Sequence, residues 1–170
     1  MITVISLICL VVVIDQVFKY LSIINLMGSE KINWLFFEFS YIESKSMLYN
    51  WDLTILMIIL SILVLFIFIK FFFDYYTKKV RNRFNYVPFI LIIGGSISNI
   101  IDRIARGFVV DYVSIPSIMK NTIFNFADFC IGAGLVMIIV YYLIKITDEK
   151  IMKEETGNNK DEIDSKQEQC

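Results

Sequence analysis

Long apolar runs alternate with shorter polar stretches along this chain, and that pattern predicts helices that cross a membrane. A helix needs roughly 20 mostly apolar residues to span the hydrocarbon core of a bilayer. Four runs meet this requirement, and we expect spans at residues 4–26, 53–73, 84–103 and 122–145. Between residues 122 and 144 the fourth run carries a single charged residue, Asp128.

Residues 28–52 follow a different period. Phe37, Phe39 and Tyr41 alternate with polar residues there, which is typical of a half-buried β-strand. Tryptophans lie nearby, and aromatic side chains concentrate where lipid meets water. The chain as a whole therefore predicts a mainly α membrane protein, with four transmembrane helices and a small antiparallel β-sheet at the outer membrane surface.

The distribution of charge predicts the orientation of the chain. A short loop at residues 77–83 carries four basic residues and no acidic one, which marks the cytoplasmic side. With four spans, both termini lie on that side. We expect one integral-membrane domain at residues 1–150 and a disordered cytoplasmic tail at residues 151–170, because the tail is polar and highly charged.

The N-terminal run has a second interpretation, a cleavable signal peptide. Against it, no basic region precedes the apolar residues and no small-residue cleavage site follows them. We therefore predict that residues 4–26 form a retained span.

Composition agrees with a membrane protein and removes several kinds of catalysis. The chain is 57% hydrophobic with a mean hydropathy of +0.66, which is more apolar than globular domains usually are. It contains no histidine, which excludes Ser-His and Cys-His hydrolysis and removes the commonest zinc ligand. Cys9, Cys130 and Cys170 suggest neither a disulfide framework nor a metal site, so we expect no metal and no cofactor.

Two carboxylates, Asp111 and Asp128, lie at the edge of, or inside, segments otherwise suited to lipid. A charged side chain in hydrocarbon costs roughly 2.5–3.5 kcal/mol on insertion scales, so such residues are functional candidates. Two aspartates that share a proton can activate water and donate a proton, because adjacent like charges separate their pKa values. The alternative is structural: Asp111 faces water in the loop after span three, while Asp128 caps span four or pairs with Arg103.

Other polar residues share faces that can meet this pair. Asn99 and Arg103 are four apart on one helix, and Asn125 precedes Asp128 by three positions. Arg103 could hold a backbone carbonyl or a lipid phosphate, or it could simply reach the membrane interface while Asn99 joins two helices. Asn125 could orient the carboxylate or a bound peptide, or it could cap the helix.

Asp15 and Lys19 are also four apart, so they share a face of span one and partly neutralise each other. Their pattern is typical of a structural pair that fixes span one against the site, although Lys19 could instead touch a substrate. Relative to the cytoplasmic loop, the polar residues of spans one, three and four all fall toward the outer leaflet. Such a distribution allows them to converge at one depth.

Four motifs occur in a fixed order along the membrane region. They are, in chain order, Asp15-Gln16-x-x-Lys19, Gly94-Gly95-x-x-x-Asn99-x-x-Asp102-Arg103, Val109-Val110-Asp111-Tyr112 and Phe124-Asn125-x-Ala127-Asp128. Together they resemble the motifs of lipoprotein signal peptidase (signal peptidase II), a family of bacterial intramembrane aspartic proteases. The resemblance covers about residues 10–145, nearly the whole membrane region.

The resemblance implies removal of signal peptides from bacterial prolipoproteins, by cleavage just before a cysteine that carries diacylglycerol. It implies a catalytic dyad of Asp111 and Asp128. It also implies that substrate is bound by Asn99, Arg103 and Asn125. The supporting pair that it implies is Asp15 and Lys19.

The resemblance further implies a location and partners. Members of the family are multi-pass proteins of the bacterial cytoplasmic (inner) membrane, with the active site toward the outer leaflet and a small sheet that cradles the substrate. The expected partners are diacylglyceryl-modified prolipoproteins, membrane lipids and globomycin-type peptide inhibitors. Nucleic acid is not expected among them.

The chain departs from the family pattern in two places. Ser44-Lys45-Ser46 and Tyr49 stand where the family usually carries Asn-x-Gly and a following Phe, and Ser98 stands where glycine is expected. The dyad is untouched, so we expect activity, but an inactive relative stays open. A non-enzymatic protein also stays open, either a small membrane carrier with acidic relay residues or a lipid-binding scaffold.

Overall fold

Four α-helices and four short β-strands form the parts of the chain that this computed structural model describes, which are residues 2–44, 51–77, 86–117 and 122–167. The helices are α1 at Ile2–Leu26, α2 at Trp51–Thr77, α3 at Val87–Arg106 and α4 at Phe126–Gln167. Each corresponds to one of the four predicted spans.

Long apolar stretches run through the described helices. Among the described residues, three stretches are long and apolar enough to cross a bilayer, namely Ile2–Leu26, Val87–Arg106 and Phe126–Asp148. The helix α2 contains a shorter apolar stretch, Ile58–Phe73. The prediction of a mainly α membrane protein is therefore confirmed.

The strands form one antiparallel sheet in the order β1-β2-β3-β4. They are β1 at Ile32–Trp34, β2 at Phe37–Ser44, β3 at Val109–Ser114 and β4 at Ile123–Phe124. The strands β1 and β2 lie within residues 28–52, so the prediction of a strand there is confirmed. The last two residues of that range belong instead to α2, which begins at Trp51. The other two come from the connection between α3 and α4, where no strand was predicted.

The position of Asp111 corrects a prediction. This residue lies on β3 rather than in a loop. The strand β3 pairs with β2, so that Ile42 stands opposite Asp111 and Ser44 stands opposite Val109. Because the pairing partner is far away in the sequence, the local pattern around Asp111 did not reveal it.

The start of α4 also differs from the prediction. The Oδ1 atom of Asn125 accepts the backbone N–H of Asp128 at 2.9 Å, and the Asp128 carboxylate accepts the backbone N–H of Asn125 at 3.2 Å. This reciprocal arrangement is a capping box, and it satisfies donors that the first turn of a helix leaves unpaired. The helix therefore begins at Phe126 rather than at residue 122.

The end of α3 is set by a glycine. Gly107 has a φ of 79°, a left-handed conformation that glycine adopts without strain, and its N–H donates to the carbonyl oxygen of Arg103 at 3.1 Å. The chain turns there directly into β3. This turn is what delivers Asp111 to the end of the helix bundle.

The helix α4 is longer than the predicted span at residues 122–145. It continues to Gln167, into the stretch from residue 151 where we expected disorder. Glutamate and lysine are abundant in this stretch, and both are good helix formers, so charge did not end the helix. Ser46, Tyr49 and residues 78–83 of the predicted basic loop lie outside the described residues.

The chain divides into two compact units, residues 1–135 and residues 136–170. The second unit holds the later part of α4. The first unit contains the sheet, the other helices and the start of α4, together with every residue predicted for the functional site.

Small residues allow three helices of the first unit to approach closely. A Cβ atom added to Gly94 would lie 2.9 Å from the Cβ of Val11 on α1. One added to Gly95 would lie 2.5 Å from the carbonyl oxygen of Ala127 on α4. Only glycine fits both positions on α3, and this close packing brings polar side chains of α1, α3 and α4 within reach of one another.

Candidate active site

Asp111 and Asp128 come together where the sheet meets α4. Asp111 is 6% exposed on β3, and Asp128 lies in the first turn of α4. Asn125, the residue before α4, contacts both carboxylates. Its Nδ2 atom donates to Asp111 Oδ1 at 2.6 Å, and its backbone N–H donates to Asp128 Oδ2 at 3.2 Å. The two predicted dyad residues thus share one hydrogen-bonding partner.

The helix α3 contributes Asn99 to the same cluster. Its Nδ2 atom donates to Asp128 Oδ1 at 2.9 Å. Its Oδ1 atom accepts from Lys19 Nζ at 2.9 Å and from Asn125 Nδ2 at 3.3 Å. Asn99 therefore links α1 to the dyad carboxylate on α4.

Lys19 connects Asn99 to a buried group that we name the ion cluster, consisting of Asp15, Lys19 and Asp102. All three side chains are 0% exposed, and Lys19 Nζ lies 2.7 Å from Asp15 Oδ2 and 2.9 Å from Asp102 Oδ2. Arg106 adds a second cation one turn after Asp102 and pairs with its carboxylate. Buried charges are stable only when they are paired and hydrogen-bonded, and each charge here has such partners.

The ion cluster also holds the backbone next to each dyad residue. Asp15 Oδ1 accepts the N–H of Ala127, immediately before the dyad carboxylate of α4, at 2.8 Å. Asp102 Oδ2 accepts the N–H of Val110, immediately before the dyad carboxylate of β3, at 3.3 Å. The cluster therefore fixes both the helix and the strand that carry the dyad.

Ser98 and Gln16 complete the hydrogen bonding of the ion cluster. The buried Ser98 hydroxyl donates to Asp15 Oδ2 at 2.6 Å and accepts from Gln16 Nε2 at 2.9 Å. Gln16 Nε2 also donates to Asp102 Oδ1 at 3.0 Å. The serine at the position where glycine was expected therefore has specific partners.

Two further residues have contacts that bear on their sequence interpretation. Ser44, at a departure from the family pattern, donates its hydroxyl to Asp111 Oδ2. Arg103, expected to bind substrate, is half-buried and donates from Nη1 to the carbonyl oxygen of Asn99 in its own helix at 3.2 Å. The other six predicted site residues are linked to one another by side-chain contacts.

Sequence reasoning did not predict five members of this network, which are Gln16, Ser44, Ser98, Asp102 and Arg106. Gln16 and Asp102 stood inside the recognised motifs, and Asp102 shares a helix face with Arg106, so a signal existed for both. No local signal existed for the two serines, because Ser44 and Ser98 bind partners 67 and 83 positions away.

The electrostatic environment makes Asp111 suitable for proton transfer. Burial raises its pKa to about 6, from a usual value of 3.8, and the negative charge of Asp128 adds to the rise. The hydrogen bonds from Ser44 and Asn125 and the positive charge of Lys19 act in the opposite direction. A carboxyl group with a pKa in this range can hold or release a proton near neutral pH.

An aromatic groove of about 390 Å³ lies beside the dyad. Tyr112 and Phe126, which line it, directly follow Asp111 and Asn125 in the sequence. The Tyr112 hydroxyl oxygen accepts the N–H of Phe126 at 3.1 Å, and burial raises the pKa of this phenol above its usual range. The lining residues are Phe18, Trp34, Phe37, Phe39, Tyr112, Val113, Phe126 and Phe129.

The arrangement is suited to acid–base chemistry on a polar bond. Two carboxyl groups that are held by a common partner and influence each other's charge can divide one proton between them. Within the described ranges, no three His, Cys, Asp or Glu side chains are grouped so as to hold a metal ion.

Known proteins share this sequence pattern. The sequence model of the signal peptidase (SPase) II family matches residues 7–144. The lipoprotein signal peptidase of Chlorobium phaeobacteroides (strain DSM 266) is 26% identical over 160 residues, covering 85% of this chain and 92% of that protein. The lipoprotein signal peptidase of Fusobacterium nucleatum subsp. nucleatum is 31% identical over 142 residues, covering 79% of this chain and 82% of that protein.

Solved structures share the fold. One bacterial membrane enzyme, determined by the in meso method, has a TM-score of 0.71 and 26% identity, covering 83% of this chain and 92% of that chain. A second has a TM-score of 0.69 and 25% identity, covering 86% and 90%. Because the family match extends over residues 7–144 and includes the whole hydrogen-bonded site, this chain belongs to the signal peptidase II family.

Proposed function

We propose that this protein removes signal peptides from bacterial prolipoproteins by cutting before a diacylglyceryl-modified cysteine, with Asp111 and Asp128 as an aspartic dyad. Membership of the signal peptidase II family supports the reaction and the membrane location. The assignment of the dyad is supported by the position of Asn125. Its side chain donates to one carboxylate and its backbone N–H donates to the other, so the two are held close together.

Hydrolysis of an amide by such a dyad needs one ionised and one protonated carboxyl group. The ionised carboxylate takes a proton from water while the water oxygen bonds to the scissile carbonyl carbon, and the protonated partner donates to the carbonyl oxygen. As the carbon–nitrogen bond breaks, the first carboxyl gives its proton to the leaving amine and the second recovers one from the intermediate. The pair ends the cycle with one proton, as it began.

The surrounding residues have supporting roles in this proposal. The amides of Asn99 and Asn125 orient the carboxylates and present the peptide to them. Arg103 holds a peptide carbonyl or a lipid phosphate through its forked guanidinium, which suits planar oxygen groups. Asp15 and Lys19 brace the site from α1, as their contacts with α4 and with Asn99 support.

The aromatic groove gives the apolar part of the substrate a place beside the dyad. Its lining is almost entirely hydrocarbon, so a lipid chain or an apolar peptide side chain would lose contact with water there. A lipid-modified cysteine would reach this region laterally from the bilayer, because the helices that flank it are exposed and apolar. Both substrate lipid and membrane lipid are therefore partners in the proposal.

We further propose that the protein is a multi-pass component of the bacterial cytoplasmic membrane, with both termini in the cytoplasm and the dyad toward the outer leaflet. The basic stretch that follows α2 in the sequence supports this orientation. Globomycin-type peptides would inhibit cleavage by occupying the region of the dyad.

A cleavage assay tests the proposal. The protein in lipid vesicles is given a prolipoprotein precursor with or without diacylglyceryl on its cysteine, and we expect only the lipidated precursor to be cut. Asp111→Asn and Asp128→Asn should each lower the rate by at least about 100-fold, a typical contribution of a general acid or base. Glu30→Gln removes an exposed carboxylate that is far from Asp111 and Asp128 in the sequence, and it serves as the control.

Near-normal cleavage by either dyad variant would contradict the dyad. If the folded wild-type protein cut neither precursor, the protease assignment itself would fail and the carrier or scaffold alternative would be favoured.

A further inference from the structure

We infer that when the dyad holds one proton, Asp111 carries it toward the hydroxyl of Ser44, and Asp128 is the ionised member. Asp128 is then the base that activates water, Asp111 is the acid, and Ser44 is a positioning residue for the shared proton. The inference rests on the proposed function for its catalytic meaning, but it follows from the directions of the hydrogen bonds around the two carboxylates.

Both oxygens of Asp128 face groups that can only donate. One accepts from the Asn99 side-chain amide at 2.9 Å and the other accepts from the backbone N–H of Asn125 at 3.2 Å. The orientation of the Asn99 amide is fixed, because its oxygen accepts from Lys19, and an ammonium group cannot accept a hydrogen bond. A proton on Asp128 would therefore find no acceptor in either of these two partners.

Asp111 differs at one of its two oxygens. Its Oδ1 atom accepts from Asn125 Nδ2 at 2.6 Å, and that amide is fixed because its own oxygen accepts the backbone N–H of Asp128. Its Oδ2 atom faces the Ser44 hydroxyl, which can donate or accept. Among the described hydrogen-bonding partners of the two carboxylates, the Ser44 hydroxyl alone can accept a proton, and it contacts Asp111.

Other charged residues contact or pair with the neighbours of the two carboxylates. They are Asp15 and Lys19 on α1, Glu43 on β2, and Asp102 and Arg103 on α3, and Arg106 in turn pairs with Asp102. Lys19 favours a negative charge on Asp111, whereas the charge of Asp128 opposes it, and burial raises the pKa of Asp111. With Asp128 ionised, the pair therefore retains its proton on Asp111 to higher pH than an isolated aspartate would.

The first test compares the stability of two amide variants, because asparagine has the shape of aspartic acid but fixed donor and acceptor ends. In Asp111→Asn the amide oxygen can accept from Asn125 and the amide nitrogen can donate to Ser44, so every hydrogen bond is kept. In Asp128→Asn an amide nitrogen must face another donor, either Asn99 or the backbone of Asn125.

We expect the thermal unfolding midpoint in detergent at pH 7 to be higher for Asp111→Asn than for the wild type. For Asp128→Asn we expect a decrease of about 2–8 °C, the effect of one unsatisfied donor in a chain of this size. Glu30→Gln is the control for loss of one negative charge. Equal midpoints for the two dyad variants, or the opposite order, would overturn the inference, even if both variants fail to cleave as the proposed function requires.

The second test uses Ser44 and remains informative if Asp128→Asn does not fold. Ser44→Ala should lower kcat about tenfold with little change in KM, because the proton loses its acceptor while the substrate contacts stay. It should also move the alkaline limb of the pH profile to higher pH, since the ionised form of Asp111 loses a hydrogen bond that is stronger than the one to the neutral acid.

Ser44→Thr keeps a hydroxyl, suits a strand, and should restore both kcat and the pH profile. Ser6→Ala, which removes an exposed hydroxyl bound within its own helix, is the matched control. Unchanged kcat and pH limbs in Ser44→Ala would overturn the inference. A change in KM alone would also overturn it, because it would indicate that Ser44 contacts substrate rather than the shared proton.

Discussion

The ion cluster and the dyad are both buried groups of acidic side chains in the same unit, yet they balance charge in different ways. In the ion cluster, Lys19 contacts Asp15 and Asp102 directly, at 2.7 and 2.9 Å. The two dyad carboxylates are held instead by the neutral amides of asparagines. Among the described contacts, Lys19 is joined to the dyad through one of these amides, that of Asn99.

In the proposed function, this difference separates a supporting group from a reacting one. A buried carboxylate that touches a cation has its charge balanced by a direct partner. Two carboxylates that are held by amides keep their mutual repulsion, so the pair binds a proton near neutral pH. Asn99 on α3 contacts Lys19 of the ion cluster and Asp128 of the dyad, so it lies between the two groups.

Among the variants that test this comparison, loss of the Lys19 cation should have the largest effect on stability. Lys19→Met keeps most of the side-chain volume but leaves Asp15 without its cation and frees the Asn99 amide to turn. We expect the free energy of unfolding to fall by about 3–5 kcal/mol, the usual cost of breaking a buried ion pair. Thermal or denaturant unfolding in detergent measures the change.

The control is an ion pair on the surface of the sheet. Lys31 lies 2.6 Å from Glu38, but the lysine side chain is 63% exposed. Lys31→Met should therefore cost no more than about 1 kcal/mol. Similar losses for the two lysine variants would show that burial does not distinguish the ion cluster.

The second largest effect should be a pH dependence that belongs to the dyad alone. Below a pH of about 3.8, the usual aspartate pKa, Asp111 is protonated in both the folded and the unfolded chain. Between there and a pH of about 6, the unfolded chain releases this proton while the folded protein retains it, so folding becomes less favourable as pH rises. Above that window the accumulated penalty is constant, at about 3 kcal/mol.

Asp111→Asn removes this titration and isolates its effect. The unfolding midpoint of the variant should rise relative to that of the wild type as pH increases through the window, and the difference should then level off. If the unfolding midpoints of the two proteins changed with pH in parallel, Asp111 would have an ordinary pKa. Amide contacts would then not distinguish the dyad from the ion cluster.

The sequence predicted the parts of this architecture that depend on local pattern. Hydropathy located four helices, and alternation at residues 37–41 located β2, because both signals repeat within one element. The capping of α4 by Asn125 was one of two interpretations that spacing allowed. The structure confirms the cap and adds that this residue also contacts Asp111, while its functional role stays a prediction.

The remaining features depend on register between distant segments. Val109–Ser114 is rich in β-branched and aromatic residues and follows Gly107, which is a strand signal that was overlooked in favour of a loop. Contacts such as Ser44 with Asp111 had no local signal. They require the sheet to bring β2 beside β3, and a single sequence does not show that pairing.

The smallest effect should come from Ser98, which joins the ion cluster but does not touch the dyad. Ser98→Ala removes a donor to Asp15 and an acceptor for Gln16, while Asp15 keeps Lys19 and the backbone of α4. We expect a loss of about 1–2 kcal/mol in the free energy of unfolding and less than about a threefold change in kcat. Ser6→Ala, which alters an exposed hydroxyl, should change stability by no more than about 0.5 kcal/mol. A large loss of cleavage in Ser98→Ala with normal stability would show instead that the ion cluster controls the chemistry of the dyad, and the division between the two groups would then be wrong.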